Sequence, residues 1–342
     1  MRAQPRDALS TGALAAYRGQ RVMVWGAAGF IGRWVAGALL REGAESFLVT
    51  RSAGGEERLR TWPGLDGARI VVGDLTDRAA ADAIVRAVRP AITFNLAGHG
   101  IDPAERDEAA AFAVNERGVT SLCDALAQSR AAVWRGQAIV HVGSSAEYGR
   151  TDEPLHEGSS EAPVTLYGRS KLAGTRAFTE RCRSHGIPGV AARLFMVYGP
   201  GEHEHRLFPS LIRAAARGEP IELSAGTQRL DFTWVGDVAD WLLRLGISQA
   251  APGEVVNLAT GRLSAVRTFV EVAATELRMD RALLRFGEAA ERPGDVRYGP
   301  VSTVRLRTLT GGAPATTIVQ GVRATLDLQG LTHDSNEGNS SD

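Results

Sequence analysis

Charge of one sign is missing from this 342-residue chain, in which 39 lysines and arginines are matched by 39 aspartates and glutamates. No global basic field argues for nucleic acid or an anionic membrane as partner. Cysteine is nearly absent: Cys123 and Cys182 both fall in helical patterns without metal-ligand spacing, and they read as buried thiols of a protein kept in the reducing cytoplasm. Long hydrophobic runs are missing as well, none approaching the roughly 20 residues of a membrane span. The first twenty residues carry arginines and only the short Ala13-Leu14-Ala15-Ala16 stretch, too brief for a signal-peptide core. Residues 1–19 are therefore expected to form a flexible leader. Residues 329–342, rich in Ser, Asn, Gly and acid, are expected to be a disordered tail.

What is present is a repeated alternation of strand and helix. Arg21-Val22-Met23-Val24-Trp25 reads as a strand that Gly26-Ala27-Ala28-Gly29-Phe30-Ile31-Gly32 turns directly into a helix. Glycines there let the backbone approach a pyrophosphate whose charge meets helix N–H groups; an ordinary tight turn uses the same residues. The second strand ends at Thr50 and is followed by Arg51. An enzyme selecting NAD places an acid near this point, whereas arginine suits the extra phosphate of NADP, so NADP is preferred and NAD remains possible. Arg33 reads as solvated. After a third strand, Asp74-Leu75 offers an aspartate that either reaches an adenine or serves the turn before the helix at Asp77. The fourth strand ends in Leu96-Ala97-Gly98-His99-Gly100; the small residues admit a cofactor, and His99 is either a sugar or cofactor contact or a plain loop residue. A helical pattern over residues 105–129 contains Asn115, an amide that needs a partner when buried.

A fifth apolar strand, residues 137–142, delivers Gly143-Ser144-Ser145-Ala146-Glu147-Tyr148-Gly149. The alternation predicts an α/β fold: a Rossmann-type doubly wound parallel sheet with a smaller C-terminal α/β substrate-binding region. The dinucleotide-binding domain is expected over residues 20–195 with returning segments near 229–260, and the mainly substrate-binding part over 196–328. Tyr167 and Lys171 open the next long helix one turn apart on one face. A tyrosine hydroxyl with a pKa near 10 is a poor base at neutrality, and an adjacent lysine ammonium favours its phenolate. A serine hydroxyl at the end of the preceding strand could hold the substrate oxygen that exchanges the proton.

These stretches, together with Asn95-Leu96-Ala97-Gly98 and Tyr167-Gly168-Arg169-Ser170-Lys171, stand in the order of the extended short-chain dehydrogenase/reductase family. Over residues 20–328 the chain resembles its nucleotide-sugar-modifying epimerase/dehydratase branch. The resemblance implies that Tyr167 is the acid/base, that Lys171 orients it and binds the nicotinamide ribose, and that Asn115 supports the site. It implies Ser144 as the catalytic hydroxyl and Ser145 as a substrate neighbour. Cofactor contacts follow at Gly26, Ala28, Gly29, Phe30, Ile31, Gly32, Asp74, Leu75, Leu96, Ala97 and Gly98, beside Arg51. Met196 stands where similar members often carry a substrate-contacting asparagine. Arg229 and Arg292 are implied to clamp a nucleotide diphosphate; surface pairing with Asp231 and Asp295 is the other reading. His203-Glu204-His205 has no further ligand cluster, and no metal is expected. The resemblance also implies a homodimer through helices at 105–129 and 166–184.

The resulting expectation is hydride transfer at carbon 4 of a nucleotide sugar, in a net ketoreductase. The dehydratases of this family need an acidic pair after the catalytic hydroxyl, and Ser145 and Ala146 occupy those places. Epimerisation with tightly held NAD is the close alternative. A non-sugar ketone reductase or a non-catalytic cofactor sensor stands further off. Glu147 has no assigned role.

Overall fold

The computed structural model describes residues 11–100, 105–129, 134–290, 297–312 and 315–331. The strands in chain order are β1 (Arg21–Trp25), β2 (Glu45–Thr50), β3 (Arg69–Val72), β4 (Ile92–Asn95), β5 (Ile139–Ser144), β6 (Gly189–Leu194), β7 (Met196–Tyr198), β8 (Ile221–Leu223), β9 (Arg229–Trp234), β10 (Glu254–Leu258), β11 (Leu263–Ala265) and β12 (Leu284–Phe286). Seven of them build one sheet in the order β10-β6-β5-β4-β1-β2-β3, every pair parallel. The chain moves outward through β2 and β3, then returns to lay β4 against the other side of β1. That reversal opens a crevice at the carboxyl ends of β1 and β4, the place where doubly wound sheets bind ligands.

Strands buried on both faces are mostly apolar, and β1, β4 and β6 are buried along nearly their whole length, with Arg193 the one charge buried inside β6. The Phe30–Arg41 and Val235–Ile247 helices cover one face, while Arg78–Val88, Gly118–Gln128 and Leu166–Ser184 cover the other. Cys123 and Cys182 are buried free thiols in that second layer. β10 returns late in the chain to become the edge strand beside β6.

The part expected to bind substrate is assembled from the β11-β9-β7 and β12-β8 sheets with the helices Leu207–Arg217 and Val266–Glu276. Phe232 stacks on Phe269 at 4.3 Å, and Tyr198 meets the same ring edge-on.

Part of the expected leader is folded. Thr11–Leu14 is a helical turn, and Tyr17 is wholly buried, its hydroxyl donating to the Leu243 carbonyl at 2.6 Å. One aromatic ring with a satisfied hydroxyl is enough to dock a short segment. Residues 1–10, and the expected tail beyond residue 331, lie outside the described residues. The single helix expected over 105–129 is interrupted: Glu108–Phe112 widens into a π turn over Ala113–Arg117 before Gly118–Gln128 resumes α geometry. No helix among the described residues is long and apolar enough to cross a membrane.

Candidate active site

β1 delivers the chain to Gly26, whose φ of +73° is the left-handed conformation that glycine adopts without strain. A Cβ there would lie 2.6 Å from the Ala97 backbone nitrogen and from Leu96, so the first turn and the end of β4 touch through bare backbone. The helix starting at Phe30 has Gly29 as its N-cap and no side chain capping it. Its first N–H groups, which no side chain caps, are of the kind that suits an anionic pyrophosphate. A Cβ on Gly32 would run into the Gly26 carbonyl and Ala27. Gly32→Ala is expected to raise the dissociation constant for NADPH about tenfold or more while the fold survives, as read by fluorescence titration and circular dichroism. Unchanged binding would separate this turn from the cofactor.

Arg51 is exposed after β2, and Ser52 caps the Ala53–Thr61 helix by accepting from the Gly55 N–H. Arg33, read from sequence as solvated, is instead packed. It lies 4.0 Å from the Trp62 ring and donates to the carbonyls of Gly29 and Gly201 at 3.2 and 2.8 Å. Burial, with the charge of Arg58, lowers its pKa to about 10. A guanidinium stem covers apolar surface while its fork reaches backbone oxygens, which is why a charged residue closes the gap between cofactor turn and substrate loop. Asp74 is exposed and serves the turn: one carboxylate oxygen accepts from the Thr76 N–H and hydroxyl, both at 2.8 Å. Leu75 is buried, in contact range of Gly118.

The side chains expected to be catalytic come from β5 and the Leu166–Ser184 helix. Thr165 caps that helix by accepting from the Gly168 N–H at 3.0 Å, which places Tyr167 in its first turn and Lys171 one turn on. The Ser144 hydroxyl lies in hydrogen-bonding range of Tyr167. Burial pushes the Tyr167 hydroxyl up to about 12; Ser144 and the charge of Arg206 pull the other way, while Glu147 and Glu105 add to the rise. Lys171 is 3 % exposed and donates to the Val142 carbonyl at 2.5 Å. Burial lowers its pKa to about 8, and Glu147 opposes that fall. Lys171 stands one helical turn after Tyr167, on the same helix face.

Asn115 finds the backbone partner its burial demands. Its amide donates to the His99 carbonyl at 2.8 Å and to the Ser170 hydroxyl at 2.8 Å, and its oxygen accepts from the His99 N–H at 3.0 Å. The π turn brings the Asn115 carbonyl against Gly174, where a Cβ could not fit. His99 itself pairs Nδ1 with Glu105 at 3.4 Å, and its buried Nε2 has no hydrogen-bond partner among the described residues.

Glu147 has a role that the linear order hid. It is wholly buried; Oε1 accepts from the Ser144 N–H at 2.7 Å and the Thr175 hydroxyl at 3.0 Å, and Oε2 from Arg193 Nε at 2.7 Å. Arg193 is buried in β6, pairs also with Glu161, and lies 4.5 Å from the Tyr148 ring. Its readable signal was a lone charge inside an apolar strand. Ser145 is buried beside Ser144.

A cavity of about 520 Å³ has a lining that includes Met196, Glu202, Arg206, Gln228, Leu230 and Phe232. β5 and β6 pair with Ser144 opposite Leu194, so Met196 starts the cavity two residues past the catalytic serine's neighbour. Its sulfur accepts from Arg206 at 3.1 Å. Strand alternation sends Gln228, Leu230 and Phe232 inward and leaves Arg229 exposed, donating to the Leu263 carbonyl at 3.3 Å. Arg229 thus does not line the cavity. Nor does it pair with Asp231, which is buried and accepts the N–H groups of Thr260, Gly261 and Arg262. Arg292 and Asp295 lie outside the described residues. His203 and His205 sit 5.2 Å apart, centroid to centroid, and no metal-ligating group of three exists among the described residues.

Residues 22–259 match the model of the NAD dependent epimerase/dehydratase family. The chain is 30% identical over 315 residues to dTDP-6-deoxy-L-talose 4-dehydrogenase (NAD(P)(+)) of Kitasatospora kifunensis, covering 89% of this chain and 93% of that one. It is 27% identical to a probable UDP-glucuronate 4-epimerase of Rhizobium meliloti, covering 88% and 94%. Among solved structures, MoeE5 in complex with UDP-glucuronic acid and NAD superposes with a TM-score of 0.77 at 27% identity, over 90% of this chain and 98% of that one.

Proposed function

The chain belongs to the NAD dependent epimerase/dehydratase family, and from that premise we propose that it is a nucleotide-sugar 4-ketoreductase drawing on NADPH. The observation that carries the reading is the convergence of Ser144, Tyr167 and Lys171 beside positions 145 and 146 that hold no carboxyl group. Glu147, the next acid, is consumed by Arg193 and the Ser144 N–H, so elimination of water has no acid/base pair to use. The relative named as a 4-dehydrogenase supports redox chemistry at the same carbon.

Reduced nicotinamide, when bound, supplies the hydride. Tyr167 gives its phenolic proton to the carbon-4 oxygen of the sugar, and Ser144 holds that oxygen by a hydrogen bond. Lys171, charged at neutral pH, stabilises the phenolate left behind. The nucleotide diphosphate supplies remote binding energy that orients the ring.

Arg51 supports NADP. It makes no ion pair among the described residues, no acid follows β2 before Glu56, and Glu56 is paired with Arg60. With Arg33 and Arg58 nearby the charge there is in surplus, which an added phosphate neutralises. Arg51→Ala is expected to weaken NADPH about tenfold and leave NADH within about twofold; equal losses for both would remove Arg51 from cofactor selection. A cytoplasmic homodimer, paired through Gly118–Gln128 and Leu166–Ser184, completes the proposal and is checked by light scattering.

The deciding experiment is absorbance at 340 nm with NADPH or NADH and a panel of nucleotide 4-keto-6-deoxy sugars. Stoichiometric loss of the NADPH signal, absent with Tyr167→Phe, is expected. A flat trace with isomerised sugar makes the enzyme an epimerase. Turnover of an uncharged ketone alone, or cofactor binding without any turnover, removes the sugar-nucleotide reading.

A further inference from the structure

Two buried atoms lining the cavity have no hydrogen-bond partner among the described residues, Glu202 Oε2 and Gln228 Oε1. Both are acceptors when Glu202 is ionised, so the cavity asks for a ligand that presents donors, as ring hydroxyls do. Glu202 is the more demanding of the two. Its side chain is 6 % exposed, its other oxygen accepts from Arg206 Nε at 3.2 Å, and Arg206 reaches on to the Met196 sulfur. Glu202, Arg206 and Met196 therefore sit together in the cavity wall, where Met196 follows two residues after Leu194, the β6 partner of Ser144. Burial raises the Glu202 carboxyl to about 7, against the pull of Arg206 and the Gly199 backbone.

We propose that Glu202 reads the sugar: its free oxygen accepts a hydrogen bond from a ring hydroxyl, and its charge excludes hexoses bearing a carboxylate at carbon 6. This rests on the nucleotide-sugar reading above. A carboxylate entering a low-dielectric pocket beside another is disfavoured, and Arg206, the cation that would welcome it, is already held by Glu202. A neutral or 6-deoxy sugar meets no such conflict and satisfies the orphan oxygen. Met196, with no amide to offer, leaves that polar contact to Glu202.

The test is calorimetric titration of the full chain at pH 8, above the Glu202 value of about 7, saturated with NADP⁺, with UDP-glucose, UDP-glucuronate, UDP and dTDP. Wild type is expected to bind UDP-glucose about tenfold or more tighter than UDP-glucuronate, as like-charge juxtaposition requires. Glu202→Gln keeps an acceptor but frees Arg206; UDP-glucuronate should tighten about tenfold while UDP-glucose stays within roughly threefold. Wild type that binds the uronate as well as the glucoside, or a Glu202→Gln preference equal to wild type, overturns the inference and leaves the sugar-nucleotide reading standing. Failure of both UDP and dTDP to bind removes that reading and the inference with it. The wild-type comparison needs no variant, so a misfolded Glu202→Gln does not shelter the proposal.

Discussion

Tyr167→Phe is expected to lower kcat for ketone reduction by roughly 10²–10⁴, the contribution of a positioned proton donor, while NADPH binding changes by less than about twofold. The phenyl ring keeps its packing against Gly100 and loses only the hydroxyl that meets Ser144. Single-turnover decay of NADPH absorbance separates the two effects, and a variant that retains a tenth of wild-type kcat would move the proton-transfer role elsewhere. The pH profile follows from Lys171. With its pKa lowered to about 8 by burial, it is charged below that value and neutral above it. Reduction should accordingly slow as pH rises through about 8, because the phenolate formed by proton donation loses its cation. Lys171→Met should erase that limb along with most of the rate.

The second large effect is on stability. Arg193→Met leaves Glu147 buried without its cation, and breaking one side of such a pair costs about 3–5 kcal/mol. For a chain of 342 residues that amounts to a fall in melting temperature of roughly 4–7 °C. Activity should fall as well, since Glu147 holds the Ser144 N–H and would lose its anchor. Adding Glu147→Gln to Arg193→Met removes the stranded charge while keeping an acceptor for Ser144 and Thr175; more than about half of the lost stability should return. Melting curves of the two single variants and the double variant decide it. Single variants that melt with wild type would show that the triad of Glu147, Arg193 and Glu161 bears no structural load.

Local features of the site were legible in the linear order. The strand, glycine turn and helix at residues 21–32 are contiguous, so their geometry depends on nearest neighbours and on steric freedom at Gly26. Tyr167 and Lys171 share a helix face by spacing alone. Asn115 announced itself as a buried amide in need of a partner, although only the fold showed that the partners are His99 and Ser170. Tyr17 was hidden because a docked segment and a loose one look alike until the surface that receives it exists.

By itself, then, the sequence determined the alternation of strands and helices, the cofactor turn and the Tyr-Lys pair, since each arises from residues within one or two turns of each other. Tertiary structure alone decided the rest. Strand pairing chose which alternate residues of β9 face the cavity, placing Leu230 inside and Arg229 outside. Contacts between residues far apart in the chain chose the partners of Glu147 and bound Arg33 to Gly201. Burial in the cavity wall left one oxygen of Glu202 without a hydrogen-bond partner among the described residues. A charge acquires its meaning from the dielectric and the partners around it, and neither exists before the chain has closed on itself.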